Sequence, residues 1–401
     1  MPSLAARMGR ARPSAIMAVA ETAKRLRAEG RDIISFSIGV PGFLPGEHVY
    51  QAAREALARD SGAYGSNRGR EDLLDAIRAH FARLGLPGYA REELVTGVGA
   101  KHLLYSLLEA LCDPGDRIAF AVPYWTSYRD IADIQGLEVD LLPCPPEQDY
   151  KLAPAQLEQA LARRPKVLLL NNPNNPTGMV YAREEIAALA AVIARFPDTW
   201  VICDDIYNGL IFDGVGYHNP LHAEPGLRDR VIVVDSLSKT YGMPGWRVGF
   251  LAGPRAVAEA VVTLNSNHIT SLPEVVTAAA VAALSGPQDL SQRKREEFQA
   301  RRDRVLAALA GLPGVRCPRP QGAFYVFPDV SGCFGRVHRP SGRRIASDLD
   351  FCEQLLASHG VACVPGSAFG EPRALRISYT VEEARLAEGL ERFRRFVSEL
   401  G

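Results

Sequence analysis

Lysine is scarce in this 401-residue chain: six lysines stand against forty arginines. Acidic and basic residues balance at 46 each, so the formal net charge is +0. That balance excludes bulk electrostatic attraction to nucleic acid or to an anionic membrane. The arginines are interspersed with acids throughout, as a coding bias would leave them, and do not collect into a phosphate-binding surface. The seven cysteines (112, 144, 203, 317, 333, 352 and 363) are odd in number and widely spaced, with no C-x-x-C pair. They exclude a disulfide framework and a cysteine zinc site, and no metal is expected. Cys203 ends the apolar run Val201-Ile202-Cys203 and reads as a core residue. No stretch approaches the roughly 18 uninterrupted apolar residues of a membrane span. The start, Met1-Pro2-Ser3-Leu4-Ala5-Ala6-Arg7, is too short and broken for a signal-peptide core, so a cytoplasmic protein is expected. What the chain does have is 47% hydrophobic and 23% charged residues, an ordinary globular composition at a length that buries more than one core.

Seven short apolar runs punctuate the middle of the chain, at 94–98, 117–122, 139–142, 167–170, 201–203, 231–234 and 248–252. Helical patterns lie between them, including 101–111, 154–163, 183–195 and 254–265. Continuous apolar runs separated by helices predict an α/β fold with a mostly parallel, seven-stranded sheet. After about residue 290 a charged helix, 292–309, is followed by strand, Gly-rich loop and strand, which reads as a smaller α+β domain. The predicted division is an N-terminal segment 1–45 packing with the small domain through helix 15–29, a large domain 46–290, and a small domain 291–401. The basic, Gly-rich stretch 331–344 is predicted to be a mobile loop.

Open parallel sheets bind ligands beyond the carboxyl ends of their strands, so the residues after each run are the informative ones. Gly99-Ala100-Lys101 follow the first, at a predicted helix start, and Pro123-Tyr124-Trp125 follow the second. Asn171 to Gly178 follow the run 167–170, and Asp204-Asp205-Ile206-Tyr207 follow the run 201–203. Asp235, Ser236, Ser238 and Lys239 follow the run 231–234. These groups suit a flat, phosphorylated, nitrogen-containing ring. Lys239, just beyond a buried strand with hydroxyls before it and Arg247 after it, suits an amine that loses its proton and attacks a carbonyl beside an anion. Gly97-Val98-Gly99-Ala100 is not a dinucleotide fingerprint, because His102 stands where the third glycine belongs. A helix start that holds one phosphate through backbone N–H groups fits it better. For Asp204 two roles stay open, a helix cap or a carboxylate that keeps a pyridine nitrogen charged.

Three segments, Asn171-x-Pro173-Asn174-Asn175-Pro176-Thr177-Gly178, Asp204-Asp205-Ile206-Tyr207 and Ser236-x-Ser238-Lys239-x-x-x-Met243-x-Gly245-Trp246-Arg247-x-Gly249, occur in this order. Together they resemble the fold-type I pyridoxal-phosphate aminotransferases, and most closely the class I bacterial aspartate aminotransferases. The likeness spans nearly the whole chain, from Pro13-Ser14-Ala15, through Gly39-x-Pro41 and Gly322-Ala323-Phe324-Tyr325, to Val364-Pro365-Gly366 and Arg376-Ile377-Ser378-Tyr379. It implies pyridoxal 5'-phosphate as cofactor, with Lys239 as the Schiff-base lysine that also moves the proton. Asp204 would pair with the ring nitrogen, Asn175 and Tyr207 would hydrogen-bond the ring oxygen, and Trp125 would stack on the ring. Ser236, Ser238, Arg247 and the backbone of Ala100 and Lys101 would hold the phosphate. Arg376 would take the substrate α-carboxylate, helped by Gly39 and Asn175, with Lys101 and Trp125 lining the substrate side. Tyr64 would reach the phosphate of the neighbouring subunit, which implies a homodimer with shared sites. The remaining lysines (24, 151, 166 and 294) are expected to face solvent, which leaves Lys101 and Lys239 at strand ends.

The resemblance implies transfer of an amino group from an L-amino acid, most simply aspartate, to a 2-oxo acid such as 2-oxoglutarate, by a ping-pong sequence. The chain departs from the family at the distal end of the substrate. Gly-Gly-Lys has become Gly99-Ala100-Lys101, and Pro-Ser-Ala-Thr has become Pro13-Ser14-Ala15-Ile16. Ile16 removes a hydroxyl, and one hydrogen bond to a charged group is worth about 1.5–3 kcal/mol. A second reading therefore keeps the cofactor site and takes an aromatic, methionine-like or other specialised amino acid, or ends in elimination or cyclisation. A third, a non-catalytic cofactor-binding regulatory domain, needs a basic DNA-binding module for which the pattern beginning near residue 13 leaves no room.

Overall fold

The computed structural model describes residues 3–60 and 62–401. One two-residue strand, β1 (Ile34–Ser35), precedes the main sheet. The seven strands of that sheet are β2 (Leu94–Gly97), β3 (Arg117–Val122), β4 (Glu138–Pro143), β5 (Val167–Asn171), β6 (Trp200–Asp204), β7 (Val231–Ser236) and β8 (Gly249–Ala252). Their spatial order is β2-β8-β7-β6-β5-β3-β4. All neighbours from β7 to β4 are parallel, and β8 alone runs against its two partners. Every residue of β5 and β7 is buried, as continuous Val/Ile/Leu runs covered by helices on both faces must be. Edge strand β4, by contrast, carries exposed Glu138 and Pro143, which blunt it against further pairing. Separate apolar clusters fill the two faces, one around Leu168, Val201 and Val233, the other around Leu169, Ile202 and Ile232.

Alternation of residues along the strands explains those two cores. Parallel register does something further at the strand ends. Asn171 pairs with Asp204, and Asp204 with Val234, two residues before Ser236. Three polar ends are thus set side by side at the strand spacing of about 4.8 Å.

The rest of the strands are β9 (Tyr325–Val326), β10 (Val337–His338), β11 (Arg343–Arg344), β12 (Val361–Ala362), β13 (Val364–Pro365) and β14 (Leu375–Ser378). They make an antiparallel sheet β13-β14-β9, a hairpin β10–β11, and a parallel pair β1–β12. Helices Asp289–Leu309, Asp348–His359 and Glu383–Ser398 bury Phe298, Phe351, Phe393 and Phe396 in one cluster with Phe36, Phe324, Tyr207 and Phe212. That cluster reaches back to residues just after β6, and so brings Tyr207 beside Phe324 and Tyr325. Helix Ala15–Ala28 lays Ala23 and Leu26 on Ile33 and Ala362. No helix among the described residues is long and apolar enough to cross a membrane.

Two local expectations are corrected. Stretch 331–344 is not a bare loop: it holds a 3-10 turn, Ser331–Cys333, and the β10–β11 hairpin. The chain end fixes it, with Val337 and Gly401 exchanging two backbone hydrogen bonds of 3.0 Å. Two-residue strands around Gly335 and Gly342 have no readable period. Lys151 and Lys294 do not face solvent freely. Lys151 is 15% exposed and pairs with Glu185 at 2.8 Å, while Lys294 pairs with Glu297 and lies 5.7 Å from the centre of the Phe43 ring.

Candidate active site

Lys239 lies in the turn after β7, partly buried between the rings of Tyr207 and Phe324, 5.7 and 5.6 Å from their centres. Its Nζ donates to the Gly39 carbonyl oxygen at 2.5 Å. Burial, and then the charge of Arg376, push its ammonium down to about 7. An amine there is a nucleophile at neutral pH. Gly39 is required by this packing, because a Cβ on it would strike the Tyr325 hydroxyl.

Asp204, 1% exposed at the end of β6, accepts from Tyr128 Oη at 2.5 Å through Oδ2. Its Oδ1 is buried with no hydrogen-bond partner. Burial raises its carboxyl to about 6, and the Tyr128 hydrogen bond opposes the rise. Asp205 is turned away, accepting from Tyr217 at 2.5 Å and Asn219 at 2.8 Å, and burial pushes it up to about 8. Tyr207 Oη and Tyr325 Oη share a buried hydrogen bond of 2.8 Å.

Arg376, on β14, is 1% exposed. It donates from Nη2 to the Ser37 carbonyl at 2.5 Å and from Nη1 to Asn175 Oδ1 at 3.0 Å. The Tyr325 ring centre lies 4.5 Å from the guanidinium. Its Nε has no partner, and among the described residues no carboxylate forms an ion pair with it. Asn175 is itself held by the strand ends. Its N–H donates to Asn171 Oδ1 at 2.8 Å, and Asn171 Nδ2 donates to the Asp204 carbonyl at 2.7 Å.

A cradle lies at the far side. Helix Ala100–Leu111 starts after Gly99, whose φ is +91°, and Arg247 donates across it to the Val98 carbonyl at 3.1 Å. Ser236 and Ser238 are buried close by, with Ser238 N–H donating to Ser236 Oγ at 3.3 Å. Free helix-start N–H groups, two hydroxyls and a guanidinium form an anion site. Lys101 is exposed, with its Nζ 5.0 Å from the centre of the half-buried Trp125 ring. A Cβ on Gly99 would press on Arg247 Nη2. In Gly99→Ala the left-handed backbone adds a penalty of about 1–2 kcal/mol. Cofactor affinity is expected to fall roughly tenfold, with kcat at saturating cofactor near wild type, as read by cofactor titration.

Residues 31–393 match the family Aminotransferase class I and II. The chain belongs to the class I and II aminotransferases. Among curated relatives, the aspartate aminotransferase of Rhizobium meliloti (strain 1021) is 40% identical over 379 residues, covering 94% of this chain and 92% of the relative. An aspartate/prephenate aminotransferase of Cereibacter sphaeroides is 38% identical over 400 residues, covering all of both chains. The crystal structure of the Rhizobium meliloti aspartate aminotransferase superposes with a TM-score of 0.96 at 38% identity over the full length of both. The Thermus thermophilus aspartate aminotransferase with maleate gives 0.91 at 34% identity, covering 99% of this chain and 100% of that one.

Class I and II aminotransferases depend on pyridoxal phosphate, and the residues present fit that group. The unpartnered Asp204 Oδ1 would accept from a protonated ring nitrogen, the cradle would hold a phosphate, and Lys239 would supply the amine. The fold gathers Gly39, Ala100, Lys101, Trp125, Asn175, Asp204, Tyr207, Ser236, Ser238, Lys239, Arg247 and Arg376 around the ends of the main sheet and the facing edge of β14. It does not bring Tyr64, 88% exposed, into contact with them. Sequence reasoning gave no role to Tyr128 or Tyr325. Tyr128 stands three residues after Trp125, one helical turn along Thr126–Gln135, which is the signal that could have found it.

Tyr128→Phe tests this part of the aminotransferase site. A hydrogen bond to a charged group is worth about 1.5–3 kcal/mol, or roughly one to two pH units. Because the Tyr128 bond lowers an already raised carboxyl, its loss moves Asp204 further up. The acid limb of the pH–rate profile is expected to shift to higher pH, while activity well above that limb is least affected. An unshifted acid limb would remove Tyr128 from this role.

Proposed function

We propose that this aminotransferase moves the amino group of L-aspartate to a 2-oxo acid such as 2-oxoglutarate. The observation that carries the reading is Arg376, a buried guanidinium with a free Nε and no carboxylate partner among the described residues. An uncompensated buried cation is costly, and a substrate α-carboxylate neutralises it through a bidentate pair. Bound pyridoxal phosphate supplies an electron sink for the charge that develops at the substrate Cα. Asp204 holds the ring nitrogen protonated, and Tyr128 keeps Asp204 ionised. Tyr207, supported by Tyr325, and Asn175 would hydrogen-bond the ring oxygen, and Trp125 would stack on the ring. Ser236, Ser238, Arg247 and the N–H groups at Ala100 and Lys101 hold the phosphate. Lys239 Nζ, able to be neutral near pH 7, takes the Cα proton and gives it back. Gly39 directs Lys239 and borders the α-carboxylate, and Lys101 with Trp125 faces the distal carboxylate.

The relatives named above carry aspartate in their names, which supports the acidic donor. Tyr64, exposed on a single chain, suits a homodimer in which each subunit lends it to the other's phosphate. The division into 1–45, 46–290 and 291–401, and a cytoplasmic site of action, complete the reading. A specialised or aromatic donor is favoured by one observation. Ile16 packs on the apolar cluster of Tyr150, Met179, Phe327 and Phe369, and the Phe369 ring lies 5.1 Å from the Arg376 guanidinium. Single half-reactions followed at the cofactor absorption bands separate the two. Aspartate and glutamate are expected to shift the spectrum at lower concentration than phenylalanine or methionine, and the reverse order would replace the acidic donor.

A further inference from the structure

Outside the cofactor site, in the small α+β part, three polar side chains converge that the reaction does not use. His338 Nε2 lies 3.0 Å and His359 Nε2 3.3 Å from one oxygen, Oε2 of Glu399. The three atoms all lie within 4.8 Å of one another, and His338 is 1% exposed. We propose that His338, His359 and Glu399 form a zinc site that ties the β10–β11 hairpin and the end of helix Asp348–His359 to the chain's C-terminus.

The hydrogen-bond network decides which nitrogens are free. Ser358 Oγ–H donates to the Gln354 carbonyl at 2.6 Å, so toward His359 Nδ1, at 2.8 Å, Ser358 Oγ can only accept. A proton therefore sits on Nδ1, so that in the neutral ring the lone pair is on Nε2, facing the carboxylate oxygen. His338 has a matching partner, with Ser341 Oγ 2.7 Å from its Nδ1 and Ser341 in turn 3.4 Å from Gln354 Oε1. Two imidazoles whose outer nitrogens bond to hydroxyls, and whose inner nitrogens face one carboxylate, match the environment of zinc-bound histidines. Zinc bonds of about 2.0–2.1 Å in a tetrahedron place ligand atoms about 3.3 Å apart, close to the two nitrogen–oxygen separations here, and zinc would hold the two Nε2 atoms, which lie within 4.8 Å of each other, at that spacing. The cleft beside them, lined by Arg31, Asp32, Pro340 and Arg395, leaves a fourth position for water.

The neighbouring cations do not block the site. Arg392 is engaged by Asp32 and Glu388 and by the His359 carbonyl, and Arg31 by the Leu356 and Ala357 carbonyls. Arg395 is exposed, where solvent and salt screen it. The ligands come from three separate elements, so no short spacing in the sequence reveals them.

Untagged holoenzyme, stripped with EDTA and returned to buffer, is titrated with zinc chloride by calorimetry and by metal analysis after dialysis. One zinc per chain is expected, with a raised melting temperature. Both are expected to be lost in Glu399→Gln and in His359→Gln, whose transaminase kcat stays at the wild-type value. Ser358→Ala is expected to bind zinc about 10–100-fold more weakly. Zinc-edge X-ray absorption on the wild type reads imidazole and oxygen ligands without sulfur, which does not depend on any variant folding. The proposal is overturned if the wild type binds no zinc and responds to pH alone. It is equally overturned by zinc retained in both ligand variants, or by sulfur ligands from the chain's cysteines.

Discussion

Lys239→Ala is expected to hold no covalent cofactor after borohydride treatment, while wild type keeps one labelled peptide containing residue 239. The physical ground is that the surroundings of Lys239 lower its ammonium to about 7, so that a large share of the amine is neutral at neutral pH. It is partly buried between Tyr207 and Phe324, with Arg376 and Arg247 both disfavouring its charge. Lys101 also lies at a strand end, but its side chain is exposed and its Nζ lies over Trp125, away from the Tyr207 and Phe324 rings. Loss of a proton-transferring group costs about 10²–10⁴-fold in rate, and loss of the covalent attachment adds to that. Small exogenous amines are expected to restore part of the turnover, since the rest of the site is intact. Label retained on Lys101, or undiminished turnover, would move the chemistry away from Lys239.

Removal of the Arg376 guanidinium is expected to give the second large effect. Truncating one partner of a buried charge pair costs about 2–5 kcal/mol, and 1.4 kcal/mol is tenfold. For Arg376→Ala, kcat/KM for aspartate should fall by roughly 30- to 4,000-fold on those figures. Arg376→Lys is expected to recover little. An ammonium cannot reach Ser37 and Asn175 and still offer two parallel donors to a carboxylate, and it stacks less well on the Tyr325 ring. Decarboxylated amine analogues should be nearly insensitive to either change. Equal losses for aspartate and its decarboxylated analogue would mean that Arg376 holds the site together and does not read the α-carboxylate.

Much of this site is legible along the chain because a parallel sheet makes it so. Each strand end is a short stretch of sequence, and parallel register sets those ends in a row, so Asn171, Asp204 and Ser236 can be read one strand at a time. Tyr128 and Tyr325 were less legible. Each acts on a residue far away in sequence, Tyr128 on Asp204 and Tyr325 on Tyr207, and nothing local to either predicts the pairing. The hairpin at 337–344 was missed for a different reason. Strands of two residues have no alternation to detect, and this hairpin is hydrogen-bonded to Glu399 and Gly401, far away in sequence.

The sequence by itself determined the α/β class and the row of polar strand ends, and it singled out Lys239 as the candidate amine. Those follow from apolar periodicity and from motifs that are contiguous. Tertiary structure decided the electrostatics: which Asp204 oxygen is left bare, that burial lowers Lys239, and that Arg376 is buried with no carboxylate partner among the described residues. It alone brought His338, His359 and Glu399 to one point. Burial and convergence depend on what the fold packs around a group, and a one-dimensional pattern does not carry that information.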